Sequence, residues 1–193
     1  MTKARAGAVA AVVCAMAVLP GCYVTSVNLP DAPQFVDERL VGAWLIVETD
    51  TLKCCFHFQR LKERSALRLV TIDDESSQIF EFTTMRVGDK QLFAASMDLN
   101  DWSSSETNGQ SRQYHLGHYV VNDGEAVLYL LDAKKIKELV SRGVLTGTVD
   151  SDGAVTLTGS PADLTRFLAS PEADSESSAD SLRLRRFAAS PSR

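Results

Sequence analysis

The chain has 193 residues, is 45% hydrophobic and carries a formal charge of −5, which suits one domain with accessory segments and a core of ordinary size. The acidic balance argues against nucleic-acid partners, which are held by clustered lysine and arginine, and against broad electrostatic adhesion to anionic lipid. The four cysteines, Cys14, Cys22, Cys54 and Cys55, offer no disulfide framework, because the adjacent pair 54–55 would point to opposite faces of a strand.

The first predicted element is an export leader over residues 1–21. Lys3 and Arg5 form a short positive region. Residues 6–21 carry no charge, and 8–19 are almost wholly apolar. That run is shorter than the roughly 20 residues of a spanning helix. Pro20 and Gly21 then break any helix before Cys22. The segment Leu19-Pro20-Gly21-Cys22 resembles the bacterial lipobox, with an aliphatic residue at −3, a small residue at −1 and then cysteine; Pro20 departs from the usual small residue at −2. The resemblance implies a diacylglyceryl group on the Cys22 thiol and cleavage before it. The mature protein is then a lipoprotein anchored to a membrane by its N-terminal acyl chains (palmitate-type), outside the cytoplasm. Loss of Lys3 and Arg5 would take the formal charge from −5 to −7. Tyr23 is not the aspartate that resembles an inner-membrane retention signal, so the outer membrane is favoured in a cell with two membranes.

Residues 22–38, with Asn28, Pro30, Asp31 and Pro33, are expected to form the lipidated N-terminus and a tether, which fully extended would reach roughly 50 Å. Residues 39–169 are the expected globular unit. Residues 170–193, rich in Ser, Ala, Asp and Glu, are expected to be a disordered tail. Its end, Leu182-Arg183-Leu184-Arg185-Arg186-Phe187, is a small basic-apolar patch that reads as solvated tail or as a contact with membrane or cell wall.

Within 39–169, alternation at period 2 predicts strands over 41–49, 54–60, 66–72, 78–86, 90–97, 112–121, 125–131, 144–149 and 154–158. Cys54, Phe56 and Phe58 fall on one face, with Cys55, His57 and Gln59 on the other. Turns fall at 87–89, 122–124 and 151–153, each with an Asp or Asn beside a Gly. Two short helices interrupt the pattern. Over 133–142, Ile136, Leu139 and Val140 share a face, Asp132 can cap the start and Gly143 can end it. Over 161–168, Ser160 is the N-cap, Pro161 sits at N1, and Leu164, Phe167 and Leu168 form the apolar stripe. The expected fold is mainly β, an antiparallel meander forming a barrel or half-barrel with two short helices.

Gly42-Ala43-Trp44 resembles the G-x-W element of lipocalins. The resemblance implies an eight-stranded barrel with Trp44 packed across its closed floor. The helix at 133–142 falls where a simple eight-stranded barrel has none.

Catalytic and metal chemistry find little support. Cys55 and His57 share a strand face, and thiolate with imidazole suits zinc or copper, but a structural zinc site wants four such ligands. His115 and His118 are three apart on a predicted strand and face opposite ways. A Cys55–His57 or Cys55–His115 nucleophile pair lacks an orienting Asn or Asp. Nucleophile-elbow, phosphate-loop and zincin motifs are absent from the sequence. The reading is therefore not an enzyme, with no cofactor and no metal.

The stretch 98–111 is long for a loop and carries Trp102 alone among polar residues. Trp102 is a candidate contact residue for a ligand or partner or a lid over a cavity; the plainer alternative is that it folds back onto the barrel rim. Tyr114 and Tyr119, with Tyr129, lie on later strands and are expected to line the same wall. Two functions follow: a small apolar ligand held in the barrel, or an envelope protein-interaction or structural module with a filled core. A cavity inside the barrel favours the first, and side chains filling it favour the second.

Overall fold

The computed structural model describes residues 23–47, 55–72, 77–97, 112–173 and 181–187. Its strands are β1 (Val24–Ser26), β2 (Gln34–Phe35), β3 (Gly42–Ile46), β4 (Cys55–Arg60), β5 (Leu67–Ile72), β6 (Ser77–Val87), β7 (Lys90–Met97), β8 (Tyr114–Asn122), β9 (Glu125–Leu130), β10 (Gly147–Val149), β11 (Val155–Leu157) and β12 (Ser181–Arg186). The helices are α1 (Ala133–Ser141) and α2 (Pro161–Ala169). Every strand expected within 39–169 is present, as are both helices.

Strands β3 to β9 form a continuous antiparallel meander, each paired with the next. β12 then pairs antiparallel with both β9 and β3. The result is a closed antiparallel barrel of eight strands. Closure leaves no open edge among these strands, which removes the row of unpaired backbone groups that edge strands expose.

Two expectations about the ends are overturned. The tail over 170–193 is not wholly disordered: Ser181–Arg186 is a barrel strand, with Leu182 and Leu184 buried and Arg183 and Arg185 exposed. Its Leu-Arg alternation has the period of a strand, and its location is dictated by the gap between β3 and β9. Nor are residues 23–38 a free tether. β1 pairs with β8 and, in parallel, with β11, while β2 pairs with β6. Val24, Thr25 and Ser26 are all buried. The folded unit therefore extends beyond 39–169 at both sides.

Alternation sorts the side chains into two cores. The inward faces supply Trp44, Phe56, Phe58, Phe82, Phe93 and Tyr119, each at most 2% exposed, to a cluster that fills the barrel. The second core lies outside it. There Met85, Leu92 and Leu116 on outward faces of β6, β7 and β8 meet Ile136 of α1 and Leu164 and Phe167 of α2. The caps are as expected: Asp132 Oδ1 accepts from the backbone N–H groups of Lys134 and Lys135, and Ser160 Oγ from that of Asp163. Both helices sit between β9 and β12 in sequence, so the eighth barrel strand follows them.

Candidate functional site

Residues 37–41 lead into β3 at one end of the barrel, with Leu40 fully buried in its core cluster. The Trp44 indole N–H donates to the Leu40 carbonyl at 2.6 Å. The Arg186 guanidinium lies over the Trp44 ring, 4.7 Å from its centroid, and donates to the carbonyls of Val41 and Arg39. Gly42 has φ of 127°, a region that disfavours any side chain, and a Cβ there would lie 3.5 Å from the Arg186 guanidinium. The glycine of the G-x-W element therefore serves the backbone turn beside the arginine. Trp44 is fully buried in the barrel core.

Beside Leu40 lies a buried polar cluster that sequence reading missed. Asp37 is 4% exposed. Its carboxylate accepts from Arg39 Nε at 2.9 Å, from the second Arg39 nitrogen at 2.7 Å, from the Arg39 backbone N–H at 3.1 Å and from the Tyr119 hydroxyl at 3.0 Å. Burial would raise the Asp37 carboxyl, but the hydrogen bonds from Arg39 and Tyr119 outweigh it and hold the group below its ordinary range. Burial, and then the negative charge of Asp37, push the Tyr119 hydroxyl well above its ordinary value. Nothing in the local sequence Val36-Asp37-Glu38-Arg39 marks Asp37 as interior, since its burial depends on Tyr119, 82 positions away.

The sequence-derived contact residues separate. Tyr119 points into the barrel and is consumed by Asp37. Tyr114 packs against the outer core, with the Arg112 guanidinium 5.6 Å from its ring centroid. Tyr129 stacks on His118, the centroids 4.5 Å apart. Positions 114 and 119 have opposite parity on one strand, so they face opposite ways, and the three tyrosines do not line one wall. Trp102 and Cys22 lie outside the described residues, as does Cys54.

His115 and His118 do diverge: His115 sits 6.2 Å from the Tyr23 ring, centroid to centroid, and burial lowers its pKa. His57 Nδ1 lies 3.1 Å from the Gln59 amide nitrogen on the outer face of β4, where Cys55 is exposed. No group of three or more metal-ligating side chains occurs among the described residues.

Clefts lined by described residues include two that lie outside the barrel. The larger, about 690 Å³, runs between α1 and α2 over a floor of Leu139, Leu145, Leu157, Leu164 and Phe167, with Arg142 and Arg166 at its rim. The smaller, about 410 Å³, lies beside the β4–β5 turn and is lined mostly by charged side chains such as Glu38, Arg60 and Arg64.

No helix among the described residues is long and apolar enough to cross a membrane. No protein-family model matches the chain, and neither a curated protein nor a solved structure is similar to it.

Proposed function

We propose that the chain is a lipid-anchored envelope protein whose barrel is a packed scaffold, presenting surfaces to partners and not carrying an apolar ligand inside. The observation that carries the second half is the barrel interior, where six aromatic side chains at most 2% exposed occupy the inward faces. An eight-stranded barrel has room for filling side chains or for one small ligand. The packing of these side chains favours the filled reading, and the polar cluster at Asp37 is already satisfied by its own partners.

The first half rests on the leader and on Leu19-Pro20-Gly21-Cys22. Diacylation or triacylation would hold firmly, each buried CH₂ contributing about 0.8 kcal/mol. The fold adds a consequence for the anchor. Tyr23, the residue after Cys22, accepts a hydrogen bond from the Val155 N–H at 3.0 Å, and Val24 begins β1. An acyl group on Cys22 would then join the folded domain with no spacer. The test is incorporation of labelled palmitate by cells expressing the full chain or its Cys22→Ser variant. Label in the first and none in the second supports the anchor. Equal label in both refutes it.

A further inference from the structure

The outer wall formed by the end of β8 with β9, β12, β3, β4 and β5 breaks the pattern of a water-facing sheet. Antiparallel sheets with one solvated face normally turn polar residues outward. Here the outward positions include Val120, Val127, Val47 and Ile72, with Val120, Val47 and Ile72 46%, 51% and 48% exposed, and the buried Leu45 beneath them; polar His57, Gln59 and Arg68 occupy the outward positions further along β4 and β5. Register makes them contiguous. Val120 lies opposite Val127, Val127 opposite Arg183, and Val47 donates to the Arg183 carbonyl. Leu45 lies between Arg185 and Cys55, and Cys55 lies opposite Ile72. Phe187, 54% exposed, follows β12 directly.

Arg183 and Arg185 rise from this apolar belt, both exposed and neither in an ion pair with a described residue. Glu125 lies opposite Arg185 in register, leaving the group with a net positive charge.

We propose that this belt is a membrane-facing surface, which lays its valines, Ile72 and Phe187 against a bilayer and pairs Arg183 and Arg185 with anionic phosphate headgroups. Charge complementarity argues for lipid. Long arginine stems cover apolar surface while their guanidinium groups reach phosphate in bidentate fashion. A second copy is a poorer fit, since a two-fold pairing centred on β12 would set these arginines against their own counterparts. The topology agrees with the anchor reading. β1 runs along β8 from where β9 leaves it: Leu130 lies opposite Gly117 and Thr25 opposite His115. The antiparallel register therefore brings Tyr23 beside the end of β9, at the border of the belt. The proposal draws its orientation from the anchor reading, but its test does not need the acyl chain.

The experiment is co-sedimentation of the full chain carrying Cys22→Ser with vesicles of phosphatidylcholine alone or of phosphatidylcholine and phosphatidylglycerol in equal parts. Three proteins are compared: this chain, the same chain with Arg183→Gln and Arg185→Gln, and one with Arg142→Gln at the exposed end of α1. Each juxtamembrane arginine strengthens binding to anionic lipid about five-fold, so the double variant should lose roughly 30-fold on the mixed vesicles only. Arg142→Gln should lose nothing, and thermal unfolding of all three should coincide. Equal binding by the double variant, an equal loss with Arg142→Gln, absence of vesicle binding, or a dimer in sedimentation that Val47→Glu dissociates would each overturn the proposal. Failure here leaves palmitate labelling at Cys22 to stand or fall separately.

Discussion

Asp37 is 4% exposed and accepts four hydrogen bonds, so its removal has a calculable cost. In Asp37→Ala, Tyr119 loses the acceptor of its hydroxyl, and Tyr119 is 2% exposed. A buried hydroxyl left unsatisfied costs about 1–3 kcal/mol. Arg39 is a different case. Its side chain is 53% exposed, so its guanidinium returns to water and does not become a stranded buried charge. The full penalty of about 3–5 kcal/mol for breaking a buried ion pair therefore does not apply. Loss of the turn bond from the Arg39 N–H to Asp37 adds about 1 kcal/mol. The expected total is about 2–4 kcal/mol, read from the urea midpoint at constant slope. Tyr119→Phe should cost less, about 1 kcal/mol, because Asp37 keeps its three bonds from Arg39. The pH dependence has a definite sign. A carboxyl held below its ordinary 3.8 stabilises the fold fully above that value, and the contribution is lost as pH falls through the lower, folded-state value. Asp37→Asn should therefore flatten the acid limb of the stability profile. A loss under about 0.5 kcal/mol for Asp37→Ala, or a larger loss for Tyr119→Phe, would refute this reasoning.

Three further outcomes follow from the packing. Ending the chain at residue 180 removes β12, buried Leu182 and Leu184 and the pairings to β3 and β9; cooperative thermal unfolding should disappear, and an unchanged melt would show the barrel does not need its eighth strand. Gly117→Ala would place a Cβ 2.2 Å from the Tyr129 carbonyl oxygen and 2.7 Å from the Phe93 ring, so calorimetry should show destabilisation by at least about 2 kcal/mol. Arg186→Ala should cost about 1–3 kcal/mol through lost stacking on Trp44 and two lost carbonyl contacts, with a shift in the Trp44 fluorescence that Arg185→Ala does not cause.

Periodicity carried most of the fold because the barrel strands alternate cleanly. Phe56 and Phe58 go inward while Cys55 and Gln59 are exposed. The helices were legible for a local reason, since Asp132 and Ser160 cap within their own first turns. What escaped depends on distant partners. β1 is three residues long and exists because β8 and β11 flank it. β12 offers only two leucines among arginines, in a polar tail, and its strand state is set by β3 and β9. The polar cluster at Asp37 escaped for the same reason, as its partner Tyr119 comes from β8. Tyr119 reads from the sequence as an aromatic contact residue, yet its hydroxyl serves the interior. Trp102 and Cys22, the two residues on which the contact and anchor readings lean, lie outside the described residues, so those readings rest on sequence pattern.

The most direct measurement is native mass spectrometry of the full chain extracted from membranes in mild detergent. A barrel packed by its own aromatic side chains should give the mass of the acylated polypeptide alone. A stoichiometric apolar molecule that remains bound, and that is displaced by enlarging an inward residue through Ala95→Phe, would contradict it and return the interior to the role of a ligand site.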